Sequence, residues 1–378
     1  MKFTIDRLNF IRQFNNVLRA VPSKTAIQIL TGIKFDLTEA GLKLTGSDAD
    51  ISIETMLPVT DEALKLQIES TGSIIITARF FSEIVKKLPE ETFTFEVKDN
   101  FQVTLTSGKS EFTVIGFDAN SYPHLPEVSD ASQLEFSADL LRGLINQTVL
   151  AVSAQESRPI LTGVHFLINA DGLLAVATDS HRLAQRKLDL PNVEGNYDFV
   201  IPGKSLTELA RMLADYQDDV QLKITDNQVL FTFGQTQFYS RLLEGNYPDT
   251  TRLIPTDSTT TIQIDASTLL ASVERASLLS HESRNNVVRL QVNPAANMAT
   301  LSSNSPDVGN VEEELSLSSL VGNELDISFN PDYLKDALRA FGSTEIKLSF
   351  TTNLRPFTLV PSEDAEHYIQ LITPVRTF

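Results

Sequence analysis

The chain of 378 residues repeats itself, and this repetition limits what it can fold into. The heptapeptide ILTGIKF occupies Ile29–Phe35, and 131 residues later ILTGVHF occupies Ile160–Phe166. Four flanking residues keep the same spacing: Gly41 with Gly172 and Asp48 with Asp179. A chance match would not hold one spacing over such a stretch. The period is too long for a solenoid repeat, so it predicts duplicated domains.

Two further similarities extend the repeat along the chain. SYPHLP at Ser121–Pro126 returns 125 residues later within NYPDTTRLIP at Asn246–Pro255. SHESRNNVVRLQV at Ser280–Val292 aligns with AQESRPILTGVHF at Ala154–Phe166, through Glu-Ser-Arg and the apolar pattern behind it. The chain is therefore predicted to contain three similar units, each large enough to bury its own core.

We expect three domains, at residues 1–127, 128–256 and 257–378. Six segments show helical periodicity: Asp6–Val21, Thr77–Leu88, Ser137–Val152, Pro202–Tyr216, Asp265–Ser280 and Pro331–Gly342. Alternating apolar and polar residues between them predict antiparallel strands, with turns at Asp-Asn and Ser-Gly-Lys. Each domain is thus predicted as two copies of a helix followed by strands, an α+β fold. The alternative is an ordinary α+β enzyme whose internal similarity is coincidental.

Residue preferences at helix ends support these six helices. Asp6 and Asp265 suit N-caps, and Pro202 and Pro331 suit helix N-termini. Gly342 suits the residue after a helix C-terminus. The bounds of the first, fourth, fifth and sixth helices therefore have a second, independent signal.

The composition narrows the possible partners. The net charge of −18 repels nucleic acid and anionic membranes on average, so either partner would need positive charge gathered locally. The predicted helices carry +3 in total, which leaves −21 for the rest of the chain. This asymmetry suits helices that face a polyanion and bind it without base-specific contacts, so that sliding is possible.

The compartment follows from three absences in the sequence. The chain has no cysteine, which excludes disulfides, thiolate catalysis and Cys-ligated zinc or iron–sulfur sites. The opening MKFTIDRLNFIRQFNN lacks the apolar core of a signal peptide. No run of about 18 apolar residues occurs. We therefore expect a cytoplasmic protein.

No pattern of catalytic or cofactor-binding residues emerges. The GKS triplets at Gly108–Ser110 and Gly203–Ser205 both lack the earlier glycine of a phosphate-binding loop. ATDSHRLA at Ala177–Ala184 places Asp, Ser and His next to one another, and adjacent residues of an extended segment point to opposite faces. Asp48 and Asp50 are interpreted as a turn, and the five histidines lack metal-ligand spacing. We expect no catalysis, no metal and no cofactor.

Four stretches carry a resemblance to a known family: MKFTIDR at the start, ATDSHRLA, EGNYPD at Glu244–Asp249 and LITPVR at Leu371–Arg376. In order and spacing, over the whole chain, they resemble the bacterial DNA polymerase III β subunit family, the sliding clamps. The resemblance implies three domains of duplicated helix-and-sheet halves, in a head-to-tail homodimeric ring around duplex DNA. It implies a processivity factor in DNA replication that tethers the replicative polymerase and has no catalysis of its own.

The resemblance also implies a hydrophobic pocket for short linear peptides of polymerases, the clamp loader and repair proteins. Ten residues would form its wall: Leu161, Thr178, His181, Arg182, Leu183, Pro248, Arg252, Leu253, Leu371 and Thr373. Apolar residues with a few polar groups suit a peptide groove. Ser180 stands where relatives often have glycine, and Thr373 where some have methionine, so pocket depth and peptide preference are expected to depend on these two residues.

For DNA, the resemblance points to Lys24 in the loop after the first helix. It also points to Gln155 and Arg158 in the corresponding loop of the second copy of the repeat. The charge distribution adds Arg79 and Lys204, both on helices. These five residues are the predicted DNA contacts.

For the dimer interface, Leu278 and Leu279 match a family position. We add the hypothesis that Lys109 faces the acidic run Glu312–Glu314 there. Two other functions stay open at this point. One is a carboxylate-assisted hydrolase that uses Asp48, Asp50 or Asp179, and the other is a scaffold that binds peptides but not DNA.

Overall fold

The computed structural model describes residues 1–125, 128, 132–190, 195–282 and 286–376. Four residues of the predicted repeat and the predicted boundary at 127 lie outside the described residues; the four are Pro126, Ser283, Arg284 and Asn285. Within them the chain forms six helices: α1 (Arg7–Leu18), α2 (Ala78–Lys86), α3 (Ala138–Thr148), α4 (Gly203–Met212), α5 (Ala266–His281) and α6 (Pro331–Phe341). None of the helices in this part of the chain is long and apolar enough to span a membrane.

The same residues form 26 strands. The first nine are β1 (Lys2–Asp6), β2 (Gly32–Thr38), β3 (Gly41–Ser47), β4 (Ile51–Pro58), β5 (Gln67–Ser70), β6 (Gly72–Thr77), β7 (Thr92–Val97), β8 (Gln102–Ser107) and β9 (Ser110–Ile115). The next eight are β10 (Ser132–Ser137), β11 (Gly163–Asn169), β12 (Gly172–Thr178), β13 (Arg182–Leu188), β14 (Tyr197–Pro202), β15 (Asp219–Ile224), β16 (Gln228–Phe233) and β17 (Thr236–Arg241). The others are β18 (Thr260–Asp265), β19 (Val288–Asn293), β20 (Met298–Ser305), β21 (Gly309–Glu314), β22 (Ser319–Gly322), β23 (Leu325–Phe329), β24 (Glu345–Phe350), β25 (Phe357–Pro361) and β26 (Tyr368–Ile372).

All six predicted helices are present, and Asp6, Asp265, Pro331 and Gly342 lie at helix ends as expected, whereas Pro202 is the last residue of β14, directly before α4. The side chain of Asp6 accepts a hydrogen bond from the amide of Asn9, and that of Asp265 accepts one from Thr268. Gly342 ends α6 with a φ of 68°, which a glycine adopts without a steric penalty. The prediction for α1 ran three residues too far, because the segment after Leu18 forms a tighter turn with i to i+3 hydrogen bonds.

The strands form four antiparallel sheets. Their strand orders are β5-β1-β7-β8-β9, β10-β15-β16-β17-β4-β3-β2-β6, β14-β11-β12-β13-β26-β25-β24-β18-β22 and β21-β20-β19-β23. Hairpins connect many neighbours, as the turn signals predicted: Gly108, with a φ of 57°, lies between β8 and β9.

Two of these sheets run across the predicted domain boundaries. β17, from the predicted middle domain, pairs with β4 from the first, and the Thr55 and Thr236 hydroxyls lie 3.0 Å apart across that ladder. β13, also from the middle domain, pairs with β26 from the third. The chain accordingly separates into a first compact unit, Met1–Asp139 with Arg211–Leu242, and a second compact unit, Leu140–Ala210 with the chain from Leu243 onward.

Each unit has a core of buried apolar side chains. In the first unit, Phe10, Phe14, Phe35 and Phe81 are buried and have ring centroids 5.3–6.1 Å apart. In the second unit, α5 and α6 pack over a sheet whose buried rings include Phe350. These cores hold the strand ends that carry the candidate site in fixed positions.

Candidate functional site

A tight turn, Thr178–Arg182, joins β12 to β13 at the center of the predicted pocket. One carboxylate oxygen of Asp179 accepts hydrogen bonds from the amides of His181 (2.9 Å) and Arg182 (3.0 Å). Ser180 adopts a left-handed φ of 80°, a conformation that explains why glycine suits this position. The Thr178 hydroxyl donates to the carbonyl of Arg182 at 2.7 Å. Asp179 therefore shapes a turn, which leaves little support for its use as a hydrolytic carboxylate.

Arg182 is held from three sides. Its guanidinium donates to Asp179 at 3.0 Å and to Asp336 of α6 at 2.7 Å, and it lies 4.7 Å from the center of the Tyr333 ring. Its side chain is only 14% exposed. The His181 ring stacks on Tyr333 from 6.4 Å. Two carboxylates thus compensate the Arg182 charge, and the arginine ties β13 to α6.

The predicted pocket residues lie in the second compact unit and divide into a buried floor and an exposed rim. The buried ones are Leu161, Thr178, Leu183 and Leu371, and the exposed ones are His181, Pro248, Arg252 and Leu253. Leu183 faces Leu371 across the β13–β26 ladder. Thr373 donates from its amide and its hydroxyl to the His181 carbonyl, at 2.9 and 2.8 Å. The floor is therefore shared by strands from two predicted domains.

The rim segment is fixed to this floor by a residue that the sequence did not single out. The Tyr247 hydroxyl accepts a hydrogen bond from the Thr178 amide at 3.0 Å, and the Tyr247 ring stacks on His165 at 4.7 Å. Burial raises the pKa of Tyr247 to about 12. Its place in the repeated SYP and NYP motifs was the one signal that could have found it.

Asp48 in the first unit forms the same turn as Asp179. Its carboxylate accepts from the amides of Asp50 (2.9 Å) and Ile51 (2.7 Å), and Ala49 has a φ of 80°. The prediction that Asp48 and Asp50 belong to a turn is confirmed. Among the described residues, no group of three or more histidines and carboxylates is placed to hold a metal.

The predicted DNA contacts occupy equivalent places in the repeat. Lys24 and Gln155 are exposed and lie 131 residues apart, in the loops after α1 and α3, and Arg158 is exposed in the second of these loops. Arg79 and Lys204 are exposed and are each the second residue of a helix, α2 and α4.

In the third copy of the repeat, this helix position carries the opposite charge. The second residue of α6 is Asp332, which contacts Lys335 at 2.8 Å and His281 at 3.0 Å. The start of α2 or α4 would therefore attract a polyanion through a cation, whereas the carboxylate at the start of α6 would repel it. The basic pattern therefore belongs to the first two copies.

The predicted interface residues lie at or near outermost strands. In the described part of the chain, β9 and β21 each end a sheet. Lys109 is exposed in the turn before β9, and Leu278 on α5 is 70% exposed, whereas Leu279 is half-buried. On β9, Phe112 and Ile115 are 41% and 71% exposed, and sequence reasoning missed both. Their spacing within a short strand looked like an ordinary half-buried hairpin.

The three glutamates of the acidic run on β21, Glu312–Glu314, differ in their contacts. Glu313 accepts hydrogen bonds from Arg275 and Ser272 of α5, whereas Glu312 and Glu314 are exposed. The Arg275 hydrogen bond holds the pKa of Glu313 below its usual range despite partial burial. Only Glu312 and Glu314 are therefore left to meet a cation such as Lys109.

An open groove of about 1240 Å³ lies elsewhere in the second unit. Its lining combines Arg289, Glu312 and Asp326 with Val311 and Leu354, and it includes none of the ten predicted pocket residues. Arg289 and Asp326 form an ion pair with a distance of 2.7 Å between Nε and Oδ1. A lining that combines this ion pair with the further charge of Glu312 suits an apolar peptide poorly.

Comparison with known proteins gives a consistent result over the full length. Three protein-family models, one for each domain of the DNA polymerase III beta subunit, match this sequence. The N-terminal domain matches residues 1–126, the central domain 135–249 and the C-terminal domain 251–376. The beta sliding clamp of Bacillus subtilis is 49% identical over 381 residues, with 100% of both chains covered.

Solved structures agree with the sequence matches. The DNA polymerase III beta chain of Streptococcus pneumoniae superposes with a TM-score of 0.96 at 45% identity, with both chains covered completely. A sliding clamp of Pseudomonas aeruginosa bound to griselimycin gives a TM-score of 0.91 at 26% identity, again over 100% of both chains. The predicted α+β fold is confirmed by these superpositions.

Proposed function

Since this chain belongs to the DNA polymerase III beta subunit family, we propose that two copies of it close head to tail into a ring around duplex DNA, and that partner proteins dock in its pocket through short peptides. Its role is that of a sliding clamp, a non-catalytic subunit that makes DNA polymerase processive. The full-length similarity to sliding clamps, with a TM-score of 0.96, is the observation that carries this function.

Helix dimensions support two copies rather than one. Six helices side by side at roughly 10 Å spacing form a ring with a circumference of about 60 Å. Once the helix radius of about 5 Å is removed on each side, the hole has a diameter of about 9 Å. Duplex DNA, with grooves each roughly 8 Å deep, does not fit through it. Twelve helices leave a hole of about 28 Å by the same arithmetic. The proposed ring therefore needs the helices of two chains.

The proposed seam joins β9 of one copy to β21 of the other. Both are outermost strands in the described part of the chain, so each presents backbone groups that another strand can pair with. Exposed apolar groups on Phe112, Ile115 and Leu278 would be covered there. Lys109 would face Glu312 and Glu314 of the other copy, because Glu313 is already bonded to Arg275.

The proposed pocket ligands are linear peptides from polymerases, the clamp loader and repair proteins. The buried Leu183 and Leu371 of the floor provide hydrophobic contact, and the exposed Leu253 and Arg252 belong to a partly polar rim. The similar Pseudomonas aeruginosa clamp was solved bound to griselimycin, and we propose that griselimycin also binds this chain, in the pocket proposed here for peptides.

The proposed DNA contacts are Lys24, Arg79, Gln155, Arg158 and Lys204. Four of the five are exposed cations, and Arg79 and Lys204 share one helix position, which suits phosphate attraction without base readout and permits sliding. The division into three domains at about residues 127 and 256 is supported by the three matched segments. A role at replicating DNA in bacteria would place the protein in the cytoplasm.

Topological retention tests this function. The protein is loaded with a compatible clamp loader and ATP onto a nicked circular plasmid, the plasmid is purified by gel filtration, and half of it is then linearised. We expect the protein to stay on the circle and to leave the linear DNA. Retention that is indifferent to linearisation, or no retention under conditions that load a Bacillus subtilis clamp, would contradict the ring.

A further inference from the structure

The amide of Thr178 needs a partner that the sheet does not supply. On the β13 side Thr178 pairs with Leu183, whereas on the other side the β11–β12 ladder ends at the pair His165 and Val176, two residues before Thr178. Thr178 is only 4% exposed, and a buried amide without an acceptor is costly. The Tyr247 hydroxyl, 69 residues away in sequence, accepts this hydrogen bond at 3.0 Å.

Tyr247 is itself held in place. Its ring stacks on His165 with a centroid distance of 4.7 Å and an interplanar angle of 26°. His165 in turn lies 2.7 Å from Asp198, from Nε2 to Oδ1. Because its pKa is about 12, Tyr247 keeps its proton at neutral pH. The hydroxyl is thus a fixed, neutral acceptor.

The contact links both halves of the pocket. Thr178 shapes the turn through its hydroxyl, which accepts from the Ser180 amide at 3.1 Å and donates to the Arg182 carbonyl. Tyr247 directly precedes Pro248 at the start of the rim. A change at this one hydrogen bond would therefore move rim and floor relative to each other.

The first unit shows what the same tyrosine does without a pocket. Tyr122 lies 125 residues before Tyr247, in the matching motif, and is buried, whereas Tyr247 is partly buried. The amide of Ser47, the counterpart of Thr178, lies near the Tyr122 hydroxyl without completing a hydrogen bond of good geometry, and it opposes only in part the rise that burial imposes on the pKa of Tyr122. The tyrosine is repeated, but the completed hydrogen bond occurs in the copy that has the pocket.

We propose that Tyr247 is a positioning residue of the peptide pocket, which binds the Thr178 amide and so holds the rim in register with the floor before a ligand arrives. This inference rests on the proposed peptide-binding function. It deepens that function by adding a residue that lies behind the pocket wall and prepares it.

The test compares Tyr247→Phe with Tyr122→Phe, which removes the equivalent hydroxyl from the first unit. Griselimycin is the probe, and its Kd and association rate are measured by surface plasmon resonance. We expect Tyr247→Phe to raise the Kd about three- to tenfold, chiefly through a slower association rate, since a lost hydrogen bond leaves the site less preorganised. Tyr122→Phe should stay within about twofold of the wild type.

Hydrogen exchange of the unliganded protein gives a second readout. The Thr178 amide should exchange faster in Tyr247→Phe and at the wild-type rate in Tyr122→Phe. Equal Kd values for both variants, or unchanged exchange at Thr178, would overturn the positioning role. If the wild type itself does not bind griselimycin, the proposed ligand is wrong, and the exchange result alone decides about Tyr247.

A third variant covers the case in which Tyr247→Phe does not fold. Asp198 has a side chain that is 74% exposed, so Asp198→Asn should leave folding intact while it loosens His165 under the Tyr247 ring. We expect a smaller effect in the same direction, a Kd raised about twofold with faster exchange at Thr178. Wild-type values for both measurements would count against the inference.

Discussion

At the scale of single residues, the repeat keeps the turn and changes its neighbours. Asp48 and Asp179 both bind the two amides that close a turn. The positions that follow have diverged, from Asp50 to His181 and from Ile51 to Arg182. The backbone role fixes the aspartate, whereas the side chains beyond it are free to form a pocket in one copy. A carboxylate occupied by two amides is a poor candidate for hydrolysis.

The Arg275–Glu313 contact predicts a specific response to acid. Because the Arg275 hydrogen bond lowers the folded-state pKa of Glu313 below its ordinary 4.5, the contact stabilises the protein fully above that pH. Its contribution is lost as the pH falls through the lowered pKa. We expect Glu313→Gln to cost about 0.5 kcal/mol at neutral pH and to remove part of the acid sensitivity of thermal unfolding.

Melting curves from pH 7 to pH 3 measure this effect. Glu324→Gln, a change at an exposed glutamate of the same domain, is the control and should follow the wild type. If Glu313→Gln and the wild type lose the same stability between these pH values, the hydrogen bond does not have the assigned role.

Residue roles were predictable only where a local pattern or the family resemblance carried them. The turn of Asp48 and Asp50 could be inferred from neighbouring residues. Tyr247 could not, because a hydrogen bond from a hydroxyl to an amide 69 residues away leaves no periodic trace in sequence. The same holds for Asp336, which reaches Arg182 from a helix more than 150 positions further along.

At the scale of elements, periodicity identified all six helices and end signals supported four of them, since both signals are local. Strands and hairpin turns were also predictable as elements. Which strands pair was not, because β4 meets β17 and β13 meets β26 through contacts between distant segments. Hydrophobic alternation predicts that a strand has a buried face, but it does not predict which strands pair with it.

The helix position shared by Arg79 and Lys204 predicts a DNA effect. We expect Lys204→Ala to weaken binding to a short duplex equally for different sequences, and to lower the slope of log K against log salt by about 1, because one phosphate contact is lost. Arg79→Ala should behave alike. Fluorescence anisotropy between 50 and 200 mM salt is the measurement.

Lys98, exposed in the turn between β7 and β8, supplies the control. Lys98→Ala changes the net charge by the same amount without touching a helix, so it should leave the salt slope unchanged. An equal loss in Lys98→Ala and Lys204→Ala would show that net charge, rather than helix position, determines binding.

At the scale of the whole molecule, the proposed seam depends on exposed apolar groups near two outer strands. We expect Leu278→Asp to raise the dimer dissociation constant about 100-fold or more, because a charge at a buried position of an interface is uncompensated. Sedimentation should then show monomers where the wild type is dimeric. Leu8→Asp, at a leucine of α1 that is 61% exposed, serves as the control and should remain a dimer.

The charge contact at this seam has its own signature. Lys109→Glu should weaken the dimer at low salt, with an effect that fades as salt screens the repulsion from Glu312 and Glu314. Dimerisation that is unchanged at low salt would reject the contact and leave the apolar part of the seam standing.

The ladder between β4 and β17 also imposes a delay on folding during synthesis. Thr55 and Thr236, which bond across it, are 181 residues apart, and a bacterial ribosome adds about 5–20 residues per second. The first copy of the repeat therefore leaves the ribosome with one edge of β4 unpaired. Roughly 10–35 seconds pass before β17, which pairs with that edge, has been synthesised. During that interval the exposed strand can pair with a strand of another nascent chain on the same message. A chaperone that shields strand flanks would be needed most while the middle third is being translated.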